Sequence, residues 1–367
     1  MTGFASALAY SSDSAGMHPS HTLPLKLDAI AVAGFPQVEI GFPDLEAYAE
    51  QIFPGYIKLD EAGEGDLTKL VDVAGKVKGF CQELGLKVLV VHPFSGFEGY
   101  TDERKREQGL QRARAWFKVL NALDCQMLQV GSSDDPSSSS DYDVIARDLR
   151  CLADEAAAQD PPIQIAYEMW AWGCHVNTWE HTWEICKRVD RPNFGLCLDT
   201  FQICGKPRTY ADPTSHNGLL QHIPGESALT TLSASLSALS RTIPPSKIFY
   251  FQISDGARRH SVDELRASAA KQGISPLYAW SNAWRPLPFQ DEIEGREGNE
   301  AGAYCGYLPV VDVCDAVLKT GWRGPWSFEV FYEADMSRDD PEVPRRWTRS
   351  AKASFDMIVE KLQEKGY

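Results

Sequence analysis

Residues 163–168 read Ile-Gln-Ile-Ala-Tyr-Glu, an apolar run of strand character that ends on a carboxylate. The pattern returns as Phe-Gly-Leu-Cys-Leu-Asp at 194–199, Ile-Phe-Tyr-Phe-Gln at 248–252 and Trp-Ser-Phe-Glu at 326–329. Near-continuous apolar strands are the kind buried on both faces of a parallel sheet. A polar group at the end of such a strand has lost its water and must find a partner. Glu168, Asp199, Gln252 and Glu329 therefore read as four groups meeting at one rim. Three carboxylates and an amide oxygen suit a hard divalent cation, Mn2+ or Mg2+, with Co2+ also admitted.

Working outward, further strand candidates are Ala5–Ser11, Gln37–Phe42, Lys87–Phe94 and Cys125–Gly131. The four runs above extend to Ile163–Trp170, Phe194–Thr200, Lys247–Ser254 and Pro325–Phe331. A helix is expected from about Leu23 to Gly34, and amphipathic stretches at Arg104–Leu123, Asp141–Gln159, Thr178–Val189, Ser227–Leu239 and Leu308–Thr320. Eight alternating strand and helix units predict a single α/β domain over 1–367, a (β/α)8 TIM barrel. An open doubly wound sheet is the alternative, but no Gly-rich phosphate fingerprint follows the first strand. Ser132–Asp141 reads as a mobile loop, and about 258–307 as a long insertion after strand seven. Within that insertion Pro276–Phe289, with four aromatics and Arg285, is expected to cover the site, and the Glu/Gly-rich part after it to be flexible.

A formal charge of −15 argues against nucleic acid and against an anionic membrane surface. No apolar run approaches the roughly 20 residues of a membrane span. Met1–Ser20 lacks the cationic start and apolar core of a secretory signal, and nine cysteines show no C-x-x-C spacing. The expectation is a cytoplasmic protein with reduced thiols and a small-molecule substrate. Barrels often pair through their helices, so a homodimer is also expected.

Beyond the four rim residues, His175 and Asn177 follow Glu168 closely in sequence, where a general base and a hydroxyl-binding amide could reach substrate. Trp170 and Trp172 would exclude water. His92 ends strand three as a second candidate base or substrate donor. Glu39 on strand two could orient a neighbour, and Arg285 could clamp a substrate carboxylate. No Gly-x-Ser-x-Gly elbow is present, and the Cys174–His175 adjacency does not make a nucleophile–base pair.

At these residues the chain resembles the xylose isomerase-like TIM barrels, and within them the 3-dehydroshikimate dehydratases of the fungal quinate pathway. The segments that carry the likeness are 167–180, 188–201, 247–255, 306–310 and 326–331. The resemblance implies a divalent metal at Glu168, Asp199, Gln252 and Glu329, and a role for His175 in its Trp-Gly-x-His-Val-Asn segment. Glutamine on strand seven favours this branch over the sugar epimerases, which usually carry histidine there. Bacterial members often have histidine three residues after the Asp ligand, where this chain has Gln202, a candidate for substrate binding. The implied reaction is metal-dependent dehydration of 3-dehydroshikimate to protocatechuate through an enediolate. A ketose 3-epimerase or sugar isomerase with the same chemistry is the alternative.

Overall fold

In the computed structural model the eight apolar runs close into one parallel barrel with helices around it. The structure describes residues 3, 5–205, 209–221, 227–257, 261–290, 304 and 306–367. The strands are β1 (Leu8–Ser11), β2 (Gln37–Gly41), β3 (Lys87–Phe94), β4 (Met127–Gly131), β5 (Gln164–Glu168), β6 (Phe194–Asp199), β7 (Ile248–Ile253), β8 (Trp284–Arg285), β9 (Trp326–Phe328) and β10 (Phe331–Tyr332). β1 to β7 pair in sequence order, and β9 closes the ring between β7 and β1.

Register fixes the rim. Asp199 pairs with Gln252, and Gln252 with Ser327, so three consecutive strand ends stand level. Glu168 pairs with Cys197, two residues below Asp199 on β6. Because side chains alternate along a strand, the polar ends turn inward while neighbours such as Tyr167 and Leu198 pack outward against helices. The core is a continuous layer between barrel and helices, with a smaller group of Ala9, Leu89, Val90, Met127, Ala166, Cys197 and Tyr250 packed together separately.

Several helices begin at side-chain caps close to the rim. Asp141, Thr178, Ser227 and Ser275 each accept a backbone N–H in the first turn of the helix they start. Losing one such cap costs about 1 kcal/mol. Asp199 does this as well, accepting from Gln202 N at 2.9 Å at the start of the short helix Thr200–Cys204. Its position is thus fixed by the strand before it and the helix after it.

Most strands are shorter than their apolar runs suggest. The first begins at Leu8 rather than Ala5, and β5 stops at Glu168, because the Trp170 N–H turns to the Ser132 hydroxyl at 2.8 Å. The eighth barrel strand ends at Phe328; Phe331 and Tyr332 leave the barrel and pair antiparallel with Arg285 and Trp284. The Ser132–Asp141 loop is laced to its surroundings: Ser132 N donates to Glu168 O at 2.9 Å and Ser139 N to Gly99 O at 2.8 Å. The long insertion contains the helices Val262–Gln272 and Pro276–Ala283 and then β8. The stretch Asp291–Gly302, expected to be flexible, lies outside the described residues. Among the described residues no helix is long and apolar enough to cross a membrane.

Candidate active site

The carboxyl ends of β5, β6 and β9 bring Glu168, Asp199 and Glu329 together, each offering one oxygen within 4.8 Å of the others. All three are buried. Like charges held this close in a dry site resist joint ionisation. Burial first, then Glu329 and Asp199, push the Glu168 carboxyl well above the usual carboxylate range, with Arg285 working against them. Asp199 is pushed up to about 6 by burial, with Arg285 pulling it down and Glu329 pushing it up.

Glu168 is held by an amide and an indole, and Asp199 and Glu329 share one guanidinium. Glu168 Oε2 accepts from the Gln129 amide and from Trp170 Nε1 at 2.9 Å. Its Oε1 is buried and has no hydrogen-bond partner among the described residues. Arg285, 1% exposed, reaches in from β8, bonds Asp199 Oδ2, and pairs with Glu329 Oε2 at 2.7 Å. The guanidinium also donates through Nε to Ser254 Oγ at 2.6 Å and lies 5.0 Å over the Phe201 ring. The ribbon of β8 and β10, with Arg285 opposite Phe331, carries this residue of the insertion to the rim.

Gln252 sits beside this group at the end of β7. Its Nε2 donates to Glu39 Oε2 at 3.0 Å, and its Oε1 accepts from Cys197 Sγ at 3.4 Å. Burial pushes the Glu39 carboxyl up to about 7, opposed by His92 and reinforced by Glu329. His92 Nδ1 stands 3.4 Å from Glu329 Oε1. Its Nε2 meets Ser11 Oγ at 2.8 Å, and Ser11 in turn donates to Asp13 Oδ1 at 2.6 Å. Burial works against charge on His92, but Asp13, Glu39 and Glu329 outweigh it and raise its pKa.

The donor set fits a cation. An orphaned carboxylate oxygen beside two further carboxylates is a costly arrangement unless positive charge completes it. The three acids can hold a metal ion, and all their donors are oxygens, as a hard divalent cation requires. In the described arrangement Arg285 supplies part of that positive charge.

The remaining candidates lie around this centre. Trp172 stacks on Tyr278 of the insertion at 4.4 Å and 6°, and leans on Trp170 at 5.2 Å. Gln202 is buried and uses Oε1 to hold Ala171 N at 2.8 Å, so its NH2 group is the end left for a ligand. Asn177 donates through Nδ2 to Gly173 O at 2.7 Å. His175 Nε2 meets Ser138 O at 2.9 Å on the β4 loop. Among the described residues it is His92 whose ring stands within 4 Å of a carboxylate of the cluster. Gln129, Ser11, Asp13 and Ser254 were not singled out in the sequence. Each lies inside or just beyond a strand, where its hydroxyl, amide or carboxyl differs little from any solvated turn residue.

Comparison with known proteins agrees with the geometry. The chain matches the family described as "Xylose isomerase-like TIM barrel" over residues 27–357. It is similar to the 3-dehydroshikimate dehydratase of Neurospora crassa, 32% identical over 363 residues, covering 98% of this chain and 95% of that protein. It is also similar to the 3-dehydroshikimate dehydratase of Pseudomonas aeruginosa, 31% identical over 315 residues. There the match covers 85% of this chain but only 36% of the longer relative. Among solved structures, a xylose isomerase-like TIM barrel/4-hydroxyphenylpyruvate dioxygenase fusion protein superposes with a TM-score of 0.66 at 25% identity, over 97% of this chain and 43% of that one.

Proposed function

Because this chain belongs to the xylose isomerase-like TIM barrel family, we propose that it is a hydro-lyase that dehydrates 3-dehydroshikimate to protocatechuate. The observation that carries the reading is the near full-length match to a dehydratase of that name together with the Glu168, Asp199 and Glu329 cluster at its barrel rim. A divalent cation, Mn2+ or Mg2+, held by those three carboxylates and the Gln252 carbonyl, would supply Lewis acidity at the substrate ketone.

The residues of the chain divide the remaining work. Arg285 holds the C1 carboxylate of the substrate, a geometry to which the planar guanidinium is suited. Trp170, Trp172 and Tyr278 exclude water, and the Gln202 amide and Asn177 meet ring hydroxyls. The C4 proton lies α to the ketone, and its removal gives an enediolate. We place that transfer at His92, which stands beside the cluster and whose Nδ1 would turn from Glu329 to the substrate; His175 would likewise have to leave the Ser138 carbonyl. The protonated base then returns the proton to the departing C5 hydroxyl, which leaves as water. The dienone that remains gives up a C6 proton to its ketone oxygen and becomes aromatic. Aromaticity makes the sequence effectively one-way.

The test is an absorbance assay at the protocatechuate band. Metal-stripped protein receives 3-dehydroshikimate with and without Mn2+ or Mg2+. A metal-dependent rise is expected. A flat trace with cation present, alongside turnover of a ketohexose, would replace the dehydratase with an epimerase.

A further inference from the structure

Glu39 is a buried carboxylate that the proposed chemistry leaves without a task. It sits on β2, on the opposite side of β1 and β9 from β7, and yet its Oε2 accepts from Gln252 Nε2 at 3.0 Å. The Gln252 side chain is therefore held at both ends, by Glu39 at its NH2 and by the Cys197 thiol at its carbonyl. A primary amide has a donor end and an acceptor end of nearly equal shape, and a half-turn exchanges them. Which end meets the Glu168, Asp199 and Glu329 cluster decides whether position 252 offers an oxygen or two hydrogens.

We infer that Glu39 is a positioning residue that keeps the carbonyl of Gln252 as its ligand end. It does so without touching the cation. The carboxylate selects the NH2 group, because a thiol alone is too weak a partner to fix the amide. The same bond makes the carbonyl a better donor, since hydrogen given to a carboxylate leaves electron density on the amide oxygen. Partners of this kind commonly set metal affinity by 10- to 100-fold. The inference rests on Gln252 being a ligand, as proposed above.

A double-mutant cycle read by Mn2+ calorimetry tests it. The proteins are wild type, Glu39→Gln, Gln252→Ala and the double variant, each metal-stripped, with thermal melts to confirm folding. Glu39→Gln is expected to weaken Mn2+ binding by about 10-fold, and to add nothing once Gln252 is alanine. Glu39→Asp, which keeps the charge but not the reach, should lose a similar amount. Wild-type affinity in Glu39→Gln or Glu39→Asp, or losses that multiply in the double variant, would overturn the inference. Wild-type affinity in Gln252→Ala would instead remove its premise, the ligand role of Gln252. Failure of the wild-type protein to bind Mn2+ would remove the metal site itself.

Discussion

The two sides of the barrel mouth are built differently. From β5 round to β9, Glu168, Asp199, Gln252 and Glu329 each close an apolar run, and the three acids among them face one another directly. From β1 to β3, the polar residues are Ser11, Asp13, Glu39 and His92; Glu39 and His92 each meet one member of the first group, and Ser11 and Asp13 act through His92. Ser11 and Asp13 hold His92; His92 meets Glu329; Glu39 holds Gln252. On the proposed function, one side would supply the cation's ligands, and the other would orient them and, through His92, move the proton. A change on the first side should therefore remove metal binding and function together, and a change on the second should lower rate or affinity while the three acids can still hold a cation.

Substitutions can break that contrast or sharpen it. The largest effect belongs to Asp199→Asn, which removes one of three carboxyl groups from the cluster and leaves the helix cap in place. Activity should fall on the order of 10³-fold or more, with loss of Mn2+ binding. Next comes His92→Asn, for which kcat should drop roughly 10²- to 10⁴-fold. His175→Asn, measured in the same assay, should cost far less; the reverse ranking would move the proton transfer to the β5 loop. Arg285→Gln should raise KM by about 10- to 100-fold, as expected for a charged hydrogen bond to a carboxylate. Mn2+ affinity measured without substrate should not weaken, because a guanidinium no longer competes for Asp199 and Glu329.

The smallest effect lies away from the cation. Glu98 is buried beneath the β4 loop, accepting from Ser133 N at 2.6 Å and Tyr167 OH at 3.0 Å, and burial pushes its carboxyl up to about 7. Between an unfolded value near 4.5 and this folded value, the folded chain holds the proton more tightly than the unfolded one. Its contribution to stability therefore falls as pH rises through that window and is fully lost above about 7. Glu98→Gln keeps both bonds and removes the titration. Its stability, read from thermal melts, should exceed wild type at pH 8 by on the order of 3 kcal/mol at most and match it at pH 4. Equal differences at both pH values would contradict this.

The same contrast explains what could be read from the sequence. Strand-end acids after runs such as Phe-Gly-Leu-Cys-Leu-Asp carry their own signal, because an apolar strand has few reasons to stop on a carboxylate. Repeated eight times, the runs also gave the barrel. Glu39 sits mid-strand, so its partner depends on β9 closing the ring beside β1, a pairing far apart in sequence. Arg285 was legible as a cation near the mouth, but its grip on Asp199 depends on the ribbon of β8 and β10, two strands of two residues each. Segments that short have no periodicity to read. Phe331 was read as the end of the eighth barrel strand because it continues an apolar run; the backbone turns out of the barrel at Glu329 instead.

The most direct measurement is a titration of metal-stripped protein with Mn2+, following bound ion and dehydration rate together. Activity should climb with occupancy and level off at about one Mn2+ per chain, with neither signal present in Asp199→Asn. Full turnover in the stripped protein, or tight Mn2+ binding that survives Asp199→Asn, would contradict a cation-dependent site at this rim.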